Sequence, residues 1–565
     1  MQNFRRFIHV AVLFLVAAQT AALADNSKIS PDLLPLLSNP ANQVDVIVQY
    51  NAPVCGGNGG LLGGLLCLPL NLLGGVVHVV FSLVNAVAGT LTAGDILNLS
   101  NHPNVSYISL DRHLAASLDY STAGVGAPIA WNAGYDGSGV GVAVIDSGIY
   151  SHPDLTRPGS TQSRIVYRKS FIGGVQYDDF GHGTHVAGIL AGNGKSSNVP
   201  GSTHILRGVA PNANLLDLRV LDGNGVSNDS AVIAAIEQAV SLKSKYNVRV
   251  INLSLGRPIY ENCSRDPLCK AVEAAWSKGI VVVVAAGNLG RNGYATVLCP
   301  ANAPHVITVG AMKTEETYAN TDDLIASYSS KGPTYIDLTA KPDVVAPGNL
   351  VVSLRAPGST LEGEFPANVV GPSYYSAGAN GTPQYMRLSG TSMASPVVAG
   401  AAALMIQKDP GITPDTVKAR LMKTAGKAFP VTSMATEPTT GQTYVSTYDL
   451  FTVGAGYVNV GAALNSYDVA SKSATSPSVL YIPLTATGIL VPSSSLWNSN
   501  WAWTTNAVWG TSVLPGGILV WNARDIWSTQ VAWGTQVAWG TTGDSGTQVA
   551  WGTQVAWGTS GNGER

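Results

Sequence analysis

Three short segments carry side chains that could together perform nucleophilic catalysis. Ser392 lies in Gly-Thr-Ser-Met-Ala-Ser-Pro, Asp146 follows an apolar run in Val-Ile-Asp-Ser-Gly, and His182 lies in Gly-His-Gly-Thr-His-Val-Ala-Gly. A serine hydroxyl is a weak nucleophile until a base within hydrogen-bond reach takes its proton, and histidine is the usual base. A carboxylate behind the histidine would hold its tautomer and stabilise the imidazolium. These residue types predict a serine nucleophile activated by a His–Asp pair.

Each of the three residues is predicted to lie at the end of a regular element. Ser392 stands where a helix begins that is apolar on nearly every side, so the helix should be buried with its first-turn N–H groups near the serine. Asp146 comes just past a buried strand, where open α/β sheets bind ligands. His182 opens a helix between two glycines, which let a substrate come close. Taken singly, the segments also fit a helix cap, a turn and a metal ligand.

Length, charge and the N-terminus limit the class of protein. The 565 residues allow two to four domains, and the net charge of −2, without a Lys/Arg stripe, argues against nucleic acid as a partner. Arg5 and Arg6 precede a short apolar run, and Ala22-Leu23-Ala24 supplies a small-x-small cleavage site. The run is shorter than the ~20 residues of a membrane span. We therefore expect a signal peptide and a secreted protein, extracellular or periplasmic.

Between about residues 119 and 463, apolar strands alternate with helical patterns. The strands are predicted at 140–145, 215–220, 248–253, 280–286 and 306–309, and the helices at 230–246 and 269–278. Most of the strands are continuous apolar runs, as expected for strands covered on both faces. The alternation predicts an α/β fold with a doubly wound, mostly parallel sheet and helices on both faces.

The segments on either side have a different character. Residues 25–118 show the order β, β, α, β, with one strand pattern running from 76 to 87, and a Leu/Gly-rich insertion at 61–75 whose glycine pairs break any membrane span. After about residue 471, Thr-Gln-Val-Ala-Trp-Gly occurs four times, starting at 529, 535, 547 and 553. This hexamer predicts either short strands or a poorly ordered low-complexity tail.

Taken together, the Asp146, His182 and Ser392 segments closely resemble the catalytic signatures of the subtilase family of serine proteases, in that family's order. The resemblance covers roughly 345 residues and implies that the three side chains form a catalytic triad. It also implies that Asn288, in Ala-Ala-Gly-Asn, supplies an oxyanion-hole amide beside the Ser392 N–H. On its own, Asn288 also fits a plain turn. The implied activity is that of a secreted serine endopeptidase made as an autoprocessed zymogen.

The resemblance also divides the chain. It implies a signal peptide at 1–24, a small α+β inhibitory propeptide at 25–118, a catalytic domain at 119–470 and a Trp/Gly-rich repeat extension at 471–565. Six residues are expected to bind an extended peptide substrate: Gly223, Gly225, Ser254, Leu255, Gly256 and Gly287. Leu298 and Cys299 should lie near the floor of the main side-chain pocket, which predicts an apolar preference. Arg257 stands where the family often has glycine, so the subsite beyond it stays open.

Cofactors and partners follow from the same resemblance. No cofactor is required for the chemistry and no metal ligand is named; structural calcium is left open, because no acidic loop is specific enough to assign ligands. The expected partners are a protein or peptide substrate and the chain's own propeptide as an intramolecular inhibitor. Contact with a cell surface through the repeats is a further hypothesis, and the oligomeric state is open. In an oxidising compartment Cys263 and Cys269 should form a disulfide, Cys55 and Cys67 lie in the propeptide, and Cys299 is left over.

Two other functions remain open at this point. The first is a secreted binding or surface protein in which the protease domain is secondary, as the Trp-Gly repeats suggest. The second is a zinc hydrolase that uses His182 and His185. These two histidines are three residues apart with no Glu between them, unlike a zinc protease motif.

Overall fold

A computed structural model describes residues 25–31, 33–51, 76–111, 113–116, 124–174, 177–199, 202, 204–315, 317, 320–376, 380–438, 440–482, 487–491, 511–514 and 518–522. The predicted signal peptide, the Leu/Gly-rich insertion and the hexamer repeats lie outside these residues. The chain divides into two compact units, Met1–Leu110 and Asp111–Arg565. In the described part of the chain, no helix is long and apolar enough to cross a membrane.

The first unit is an antiparallel sheet covered by one helix. Its elements are β1 (Gln43–Tyr50), β2 (Val76–Phe81), β3 (Ala86–Thr92), α1 (Ala93–Ser100) and β4 (Val105–Leu110). The strands lie in the order β2-β3-β1-β4. Ile96 and Leu99 of α1 are buried in one apolar cluster with strand residues such as Val46 and Ile108. Burial of this helix against the sheet gives the unit a core of its own.

One strand prediction in this unit is wrong. The pattern from 76 to 87 is two strands, β2 and β3, joined by a turn at 82–85. Asn85 in that turn has a φ of 50°, in the left-handed region that asparagine enters more readily than most residues. The turn also contains the apolar Leu83 and Val84, so the run looks continuous in the sequence. The element order is therefore β, β, β, α, β.

Thr92 is the N-cap of α1. Thr92 Oγ1 accepts a hydrogen bond from the Asp95 N–H at 3.2 Å and donates one to Asp95 Oδ2 at 2.6 Å. The Thr92 side chain thus satisfies one of the backbone donors that a helix start leaves without an intrahelical partner. The bond between the two side chains holds Thr92 in that position.

The second unit contains the remaining elements. Its strands are β5 (His113–Ala116), β6 (Gly141–Asp146), β7 (Ile165–Ser170), β8 (Asn214–Arg219), β9 (Val226–Asn228), β10 (Val248–Leu253), β11 (Leu255–Gly256), β12 (Val281–Ala285), β13 (Ile307–Lys313), β14 (Leu324–Ile325), β15 (Val344–Pro347), β16 (Val351–Leu354), β17 (Val369–Val370), β18 (Tyr385–Leu388), β19 (Thr432–Thr436), β20 (Thr443–Thr447), β21 (Ser478–Ile482), β22 (Thr487–Val491), β23 (Thr511–Leu514) and β24 (Ile518–Asn522). Its helices are α2 (Ala127–Asn132), α3 (His182–Ala191), α4 (Asp229–Ser241), α5 (Lys243–Tyr246), α6 (Pro267–Ser277), α7 (Thr360–Glu364), α8 (Thr391–Lys408), α9 (Pro414–Thr424), α10 (Leu450–Val453) and α11 (Val460–Asn465).

The central sheet is mostly parallel, as predicted. Its order is β14-β13-β12-β10-β6-β8-β7, with β15 also paired to β13. All neighbours run parallel except β13 and β14. Helix α8 packs against β10, β12 and β13 and against α3, while α4 packs against α6. The carboxyl ends of β6, β10 and β12 therefore point to one edge of the sheet, where the predicted site residues lie.

The sequence pattern missed some details of this sheet. The predicted helix 230–246 is two helices, α4 and α5, with Leu242 between them. Strand β7 was not predicted, because its sequence Ile-Val-Tyr-Arg-Lys-Ser is mostly half-buried and lacks a long apolar run. Strand β13 continues to Lys313, past the predicted end at 309.

The segment that follows residue 470 contacts buried residues of the same unit, and the boundary between 470 and 471 stays a prediction. Ser476 Oγ donates to Asp343 Oδ1 at 2.6 Å and accepts from Lys418 Nζ at 2.7 Å, and all three residues are buried. The Val479 N–H donates to the Leu338 carbonyl at 2.7 Å. This segment is rich in serine and threonine and has no apolar period, so nothing in the sequence signals that it satisfies buried charges.

Strands follow the docked segment. β21 to β24 form an antiparallel sheet in the order β21-β22-β24-β23. Short strands were one of the two structures predicted for the C-terminal extension. The hexamer repeats themselves, from Thr529 onward, are outside the described residues.

Candidate active site

Helix α8 holds Ser392 in its first turn, and a proline in that helix shapes the serine's surroundings. Every residue from Thr391 to Ile406 is buried. Pro396 has no N–H to donate to the carbonyl of Ser392, one turn earlier. Ser254 supplies the missing donor, because its Oγ lies 2.7 Å from the Ser392 carbonyl oxygen. Ser392 Oγ in turn donates to the Ser254 carbonyl at 3.1 Å. The predicted nucleophile is thus fixed against the residue that follows β10.

His182 and Asp146, which the sequence predicts to activate Ser392, are hydrogen-bonded to each other. His182 Nδ1 lies 2.6 Å from Asp146 Oδ1, and both side chains are buried. A carboxylate can only accept, so the proton of this bond is on Nδ1, and Nε2 is left as the basic nitrogen. Asp146 Oδ1 also accepts from the Ser147 N–H at 2.7 Å. Helices α3 and α8 pack together, so His182 and Ser392 begin two helices that are in contact.

A second carboxylate, which the sequence analysis missed, organises the start of α3. Asp178 Oδ1 accepts from Ser147 Oγ at 2.6 Å and from the Gly181 N–H at 2.7 Å, while Oδ2 accepts from the Thr184 N–H at 2.7 Å. Burial raises the pKa of Asp178, and the donors around it oppose that rise. Asp178 therefore ties the residue after Asp146 to the helix that begins at His182. An acidic residue shortly before a predicted helix start was the available signal.

The side chain of Asn288 is oriented by Thr391. Asn288 Oδ1 accepts from the Thr391 N–H at 2.9 Å and from Thr391 Oγ1 at 3.0 Å. The hydroxyl also accepts from the Gly287 N–H at 3.0 Å. Because both bonds use the amide oxygen, the amide nitrogen is turned away from Thr391 and keeps its donors for another partner. This arrangement suits a donor to a developing oxyanion.

His185 has a structural environment. It is fully buried, and its Nε2 lies 3.2 Å from both the Val351 and Met386 carbonyls, to which it can only donate. Burial, and then the nearby His182, lower the pKa of His185 to about 3. His182 Nδ1 is already engaged with Asp146. Among the described residues there is no group of three or more His, Cys, Asp or Glu side chains that could hold a metal ion. We therefore assign no zinc or calcium ligands.

A small sheet of three antiparallel strands adjoins Ser254, the residue bonded to Ser392, and we call the space between its two outer strands the cleft. β5 is the middle strand, with β11 on one side and β9 on the other. Leu255 pairs with Ala116 and Gly256 with Ala115. On the other side, Ala115 pairs with Val226 and His113 with Asn228. We call β9 and β11 the cleft rims. An extended strand between two rims is the arrangement in which a peptide substrate adds to sheet edges.

Gly223 and Gly225, which are expected to bind substrate, lie next to one of the rims. The structure forms that rim from β9, and places Gly223 and Gly225 in the turn before it, where the Gly225 N–H donates to the Asp222 carbonyl at 3.0 Å. The Gly223 carbonyl accepts from Thr360 Oγ1 at 2.6 Å. Glycine content marked the turn rather than the strand, since an edge strand needs only free backbone groups. Leu255 and Gly256, two further residues expected to bind substrate, form β11 and follow Ser254 directly.

Leu298 packs where the side-chain pocket was predicted. A Cβ on Gly256 would lie 3.0 Å from Leu298 Cβ, and a Cβ on Gly287 would lie 2.6 Å from Leu298 Cγ. Gly287 also has a φ of 108°, which side chains rarely tolerate. The two glycines thus make room for a leucine between them. Cys299 is buried next to it and takes no part in a disulfide within the described residues. The substrate-binding roles of these residues stay predictions.

A buried strand-end aspartate, a helix-start histidine and a helix-start serine on a mostly parallel α/β sheet are the features expected of a serine hydrolase. The model of the subtilase family matches residues 137–456, more than half of the chain. The chain belongs to the subtilase family, and it is a serine-type endopeptidase.

Three relatives illustrate the similarity. Serine protease AprX of Bacillus subtilis is 38% identical over 350 residues, which is 60% of this chain and 73% of AprX. Subtilisin E of the same organism is 39% identical over 357 residues, 62% of this chain and 78% of its own length. The alkaline protease of Alkalihalobacillus alcalophilus is 35% identical over 350 residues, 61% of this chain and 75% of its own.

Proposed function

We propose that this chain is a secreted serine endopeptidase that cleaves peptide bonds with the Asp146–His182–Ser392 triad and an oxyanion hole containing Asn288. The observation that carries the proposal is the buried 2.6 Å bond between His182 Nδ1 and Asp146 Oδ1. This bond leaves Nε2 as the base and keeps a negative charge beside the ring. The family resemblance and the signal-like N-terminus support the catalytic and secretory parts respectively.

The reaction follows from these contacts. Ser392 Oγ attacks the scissile carbonyl carbon while its proton passes to His182 Nε2, and Asp146 stabilises the imidazolium. The carbonyl oxygen becomes an oxyanion, which accepts from the Asn288 side-chain amide and the Ser392 N–H. The imidazolium returns its proton to the leaving amine as the C–N bond breaks, giving an acyl-enzyme. Water, deprotonated by the same histidine, then cleaves the ester and restores Ser392.

Residues 25–118 are proposed to act as an inhibitory propeptide. The middle strand β5 occupies the cleft between the rims, where a substrate strand would pair. Asp111 precedes it and its Oδ1 accepts from the Ser230 N–H at 2.7 Å, which caps the start of α4. The register Leu255↔Ala116 advances toward Ser254, the residue bonded to Ser392. We expect the cut immediately after the paired residues, at or next to the Ser117–Leu118 bond.

The test is casein hydrolysis by secreted wild-type protein beside Ser392→Ala. The wild type should hydrolyse casein. A serine-directed inhibitor should abolish this activity, whereas a chelator should leave the activity of the folded enzyme unchanged. Ser392→Ala should be inactive and should accumulate a species larger by the mass of residues 25–117. Sequencing the N-terminus of the mature enzyme locates the cut. A mature enzyme that begins near Asp25, or an active Ser392→Ala variant, would refute the proposal.

Two finer parts of the proposal concern the rest of the chain. The C-terminal repeats are proposed as an accessory appendage that contacts a cell surface and is not needed for chemistry. Binding of the isolated enzyme to cells, with and without residues after 522, tests that role. Structural calcium stays a prediction without ligands, and a loss of thermal stability on chelation would support it.

A further inference from the structure

A cluster of buried charges joins the two cleft rims at the end remote from Ser392. Arg257 directly follows rim β11, and Asp229 directly follows rim β9. Arg257 Nε lies 2.9 Å from Asp229 Oδ1, and Nη2 lies 2.8 Å from Asp229 Oδ2. This is a two-pronged contact of the kind that fixes geometry as well as charge.

The bridge continues to a third element. Arg257 Nη2 also donates to Asp266 Oδ2 at 2.6 Å. Asp266 Oδ1 accepts from the Leu268 and Cys269 N–H groups at 3.0 and 3.1 Å, so the same carboxylate caps α6. Asp266 lies inside the loop closed by the disulfide between Cys263 and Cys269. The disulfide-closed loop therefore anchors the far side of the cluster. We call Asp229, Arg257 and Asp266 the rim clamp.

The rim clamp is sealed from solvent. The exposures of Asp229, Arg257 and Asp266 are 0%, 1% and 1%. Although burial disfavours its charge, the carboxylates of Asp229 and Asp266 raise the pKa of Arg257 well above its usual value. The guanidinium also donates to the Pro258 carbonyl at 3.1 Å. A buried charge cluster is costly unless its hydrogen bonds are satisfied, and such a cluster tolerates little change in the distance between its members.

The position of the clamp relates it to the substrate. The rims flank one strand, so they are two interstrand spacings apart, roughly 9–10 Å. Asp229 and Arg257, which directly follow the two rims, bond to each other, so this ion pair passes across the direction of the middle strand β5. Because both side chains are buried, the bridge runs on the side of that strand that faces the protein. Gly256 pairs with Ala115, so Arg257 is one step farther from Ser392 than this pair. Only a peptide that extends several residues before the cut reaches the clamp.

We propose that the rim clamp is a specificity device that fixes the width of the cleft for extended peptides with at least four residues on the N-terminal side of the cut. Arg257 acts as a positioning residue, because it sets the distance between rims that bind the substrate. This inference rests on the proposed endopeptidase function and deepens it, because the rim clamp would make the enzyme select extended protein segments over short peptides. The clamp adds binding only for the remote part of the substrate, so it affects KM more than kcat.

The test compares two chromogenic peptide amides that share the residues next to the cut and carry either two or four residues before it. Wild-type enzyme should hydrolyse the longer peptide with the higher kcat/KM. In Arg257→Met the ratio of kcat/KM for the longer peptide to kcat/KM for the shorter one should fall by roughly tenfold to a hundredfold, mainly because KM for the longer peptide rises. The ratio is taken within each variant, so a reduced folded fraction cancels. Arg257→Lys should recover part of the ratio, because lysine keeps the charge without the fork.

Two further variants keep the test decisive. Arg257→Met leaves two buried carboxylates without their cation. If this single variant does not fold, the double variant Asp229→Asn/Arg257→Met replaces it, because one of the two buried negative charges is then removed. Lys341→Met is the matched control, because Lys341 is fully buried and bonds Asp343 at 2.6 Å in a different cluster. It should lower stability and leave the ratio unchanged. A ratio that is unchanged in Arg257→Met and in Asp229→Asn/Arg257→Met would overturn the clamp proposal. A wild type that is inactive on both peptides would instead overturn the proposed function.

Discussion

Thr391 should affect catalysis only through Asn288, and its hydroxyl can be removed almost without a change of shape by Thr391→Val. The variant deletes the 3.0 Å bond to Asn288 Oδ1 and leaves the Gly287 N–H without its acceptor. The second bond to Oδ1, from the Thr391 N–H at 2.9 Å, survives. The amide should therefore be held less firmly rather than lost. A buried donor without a partner costs about 1–3 kcal/mol of stability.

The catalytic effect can be bounded. Loss of an oxyanion-hole amide costs ~10²–10³ in turnover, a magnitude known from subtilisin rather than from this structure. With one of its two orienting bonds intact, Asn288 should retain most of its effect, and we expect kcat to fall about tenfold, or ~1.4 kcal/mol of transition-state stabilisation. KM should hardly change, because the oxyanion exists only in the transition state. Thr391→Ser keeps the hydroxyl and should stay close to wild type.

A double-mutant cycle decides between this interpretation and an independent role for Thr391. The assay is steady-state hydrolysis of a peptide amide, with the active fraction titrated by a serine-directed inhibitor. Asn288→Ala with Thr391→Val should be no slower than Asn288→Ala alone, because the threonine has nothing left to orient. If the two losses multiply instead, Thr391 acts on the reaction by another route and the reasoning fails.

Three other variants test separate parts of the structure. Asp178→Asn should lower kcat with little change in KM, because the amide cannot accept all three hydrogen bonds by which Asp178 joins Ser147 to the start of α3. A variant with lower thermal stability but unchanged kcat would show that the role of Asp178 is purely structural. Burial raises the pKa of Asp323 to about 7, above its ordinary value of 3.8, so the native state holds this proton more tightly and stability should fall as pH rises from about 4 to 7. Asp323→Asn, measured by thermal unfolding in the inactive Ser392→Ala background, should flatten that dependence, and an unaltered slope would contradict it. Truncation after Ala470 should destabilise the enzyme strongly, whereas truncation after Ile482 should leave peptide hydrolysis within a few-fold of full length; equal stability of the two products would show that the docked segment is dispensable.

Local motifs made the main site predictable from the sequence. Asp146, His182 and Ser392 each lie at the end of an element whose apolar pattern is visible, and the parallel sheet brings such ends to one edge. The structure accordingly brings Asp146 to His182 and Asn288 to the start of α8. Their catalytic roles remain proposals that the variants above test.

Contacts between distant segments could not be predicted in this way. Ser254 and Ser392 are 138 residues apart, and one of their two hydrogen bonds replaces the backbone donor that is missing at Pro396. The ion pairs of Arg257 were equally hidden, because its sequence context showed only a departure from glycine. Strand limits failed where residue type and backbone role differ, as in the apolar run from 76 to 87, which is the two strands β2 and β3.

The docked segment around Ser476 also sets a limit to self-digestion. A protease at high concentration trims its own exposed ends, and the rate depends on how often a segment opens enough to enter the cleft. Residues that satisfy the buried Lys418 and Asp343 open rarely, while chain beyond the docked segment is not held by these contacts. Aged enzyme should therefore converge on a product that ends shortly after Val479. Its mass would mark the smallest form of the enzyme that survives its own activity.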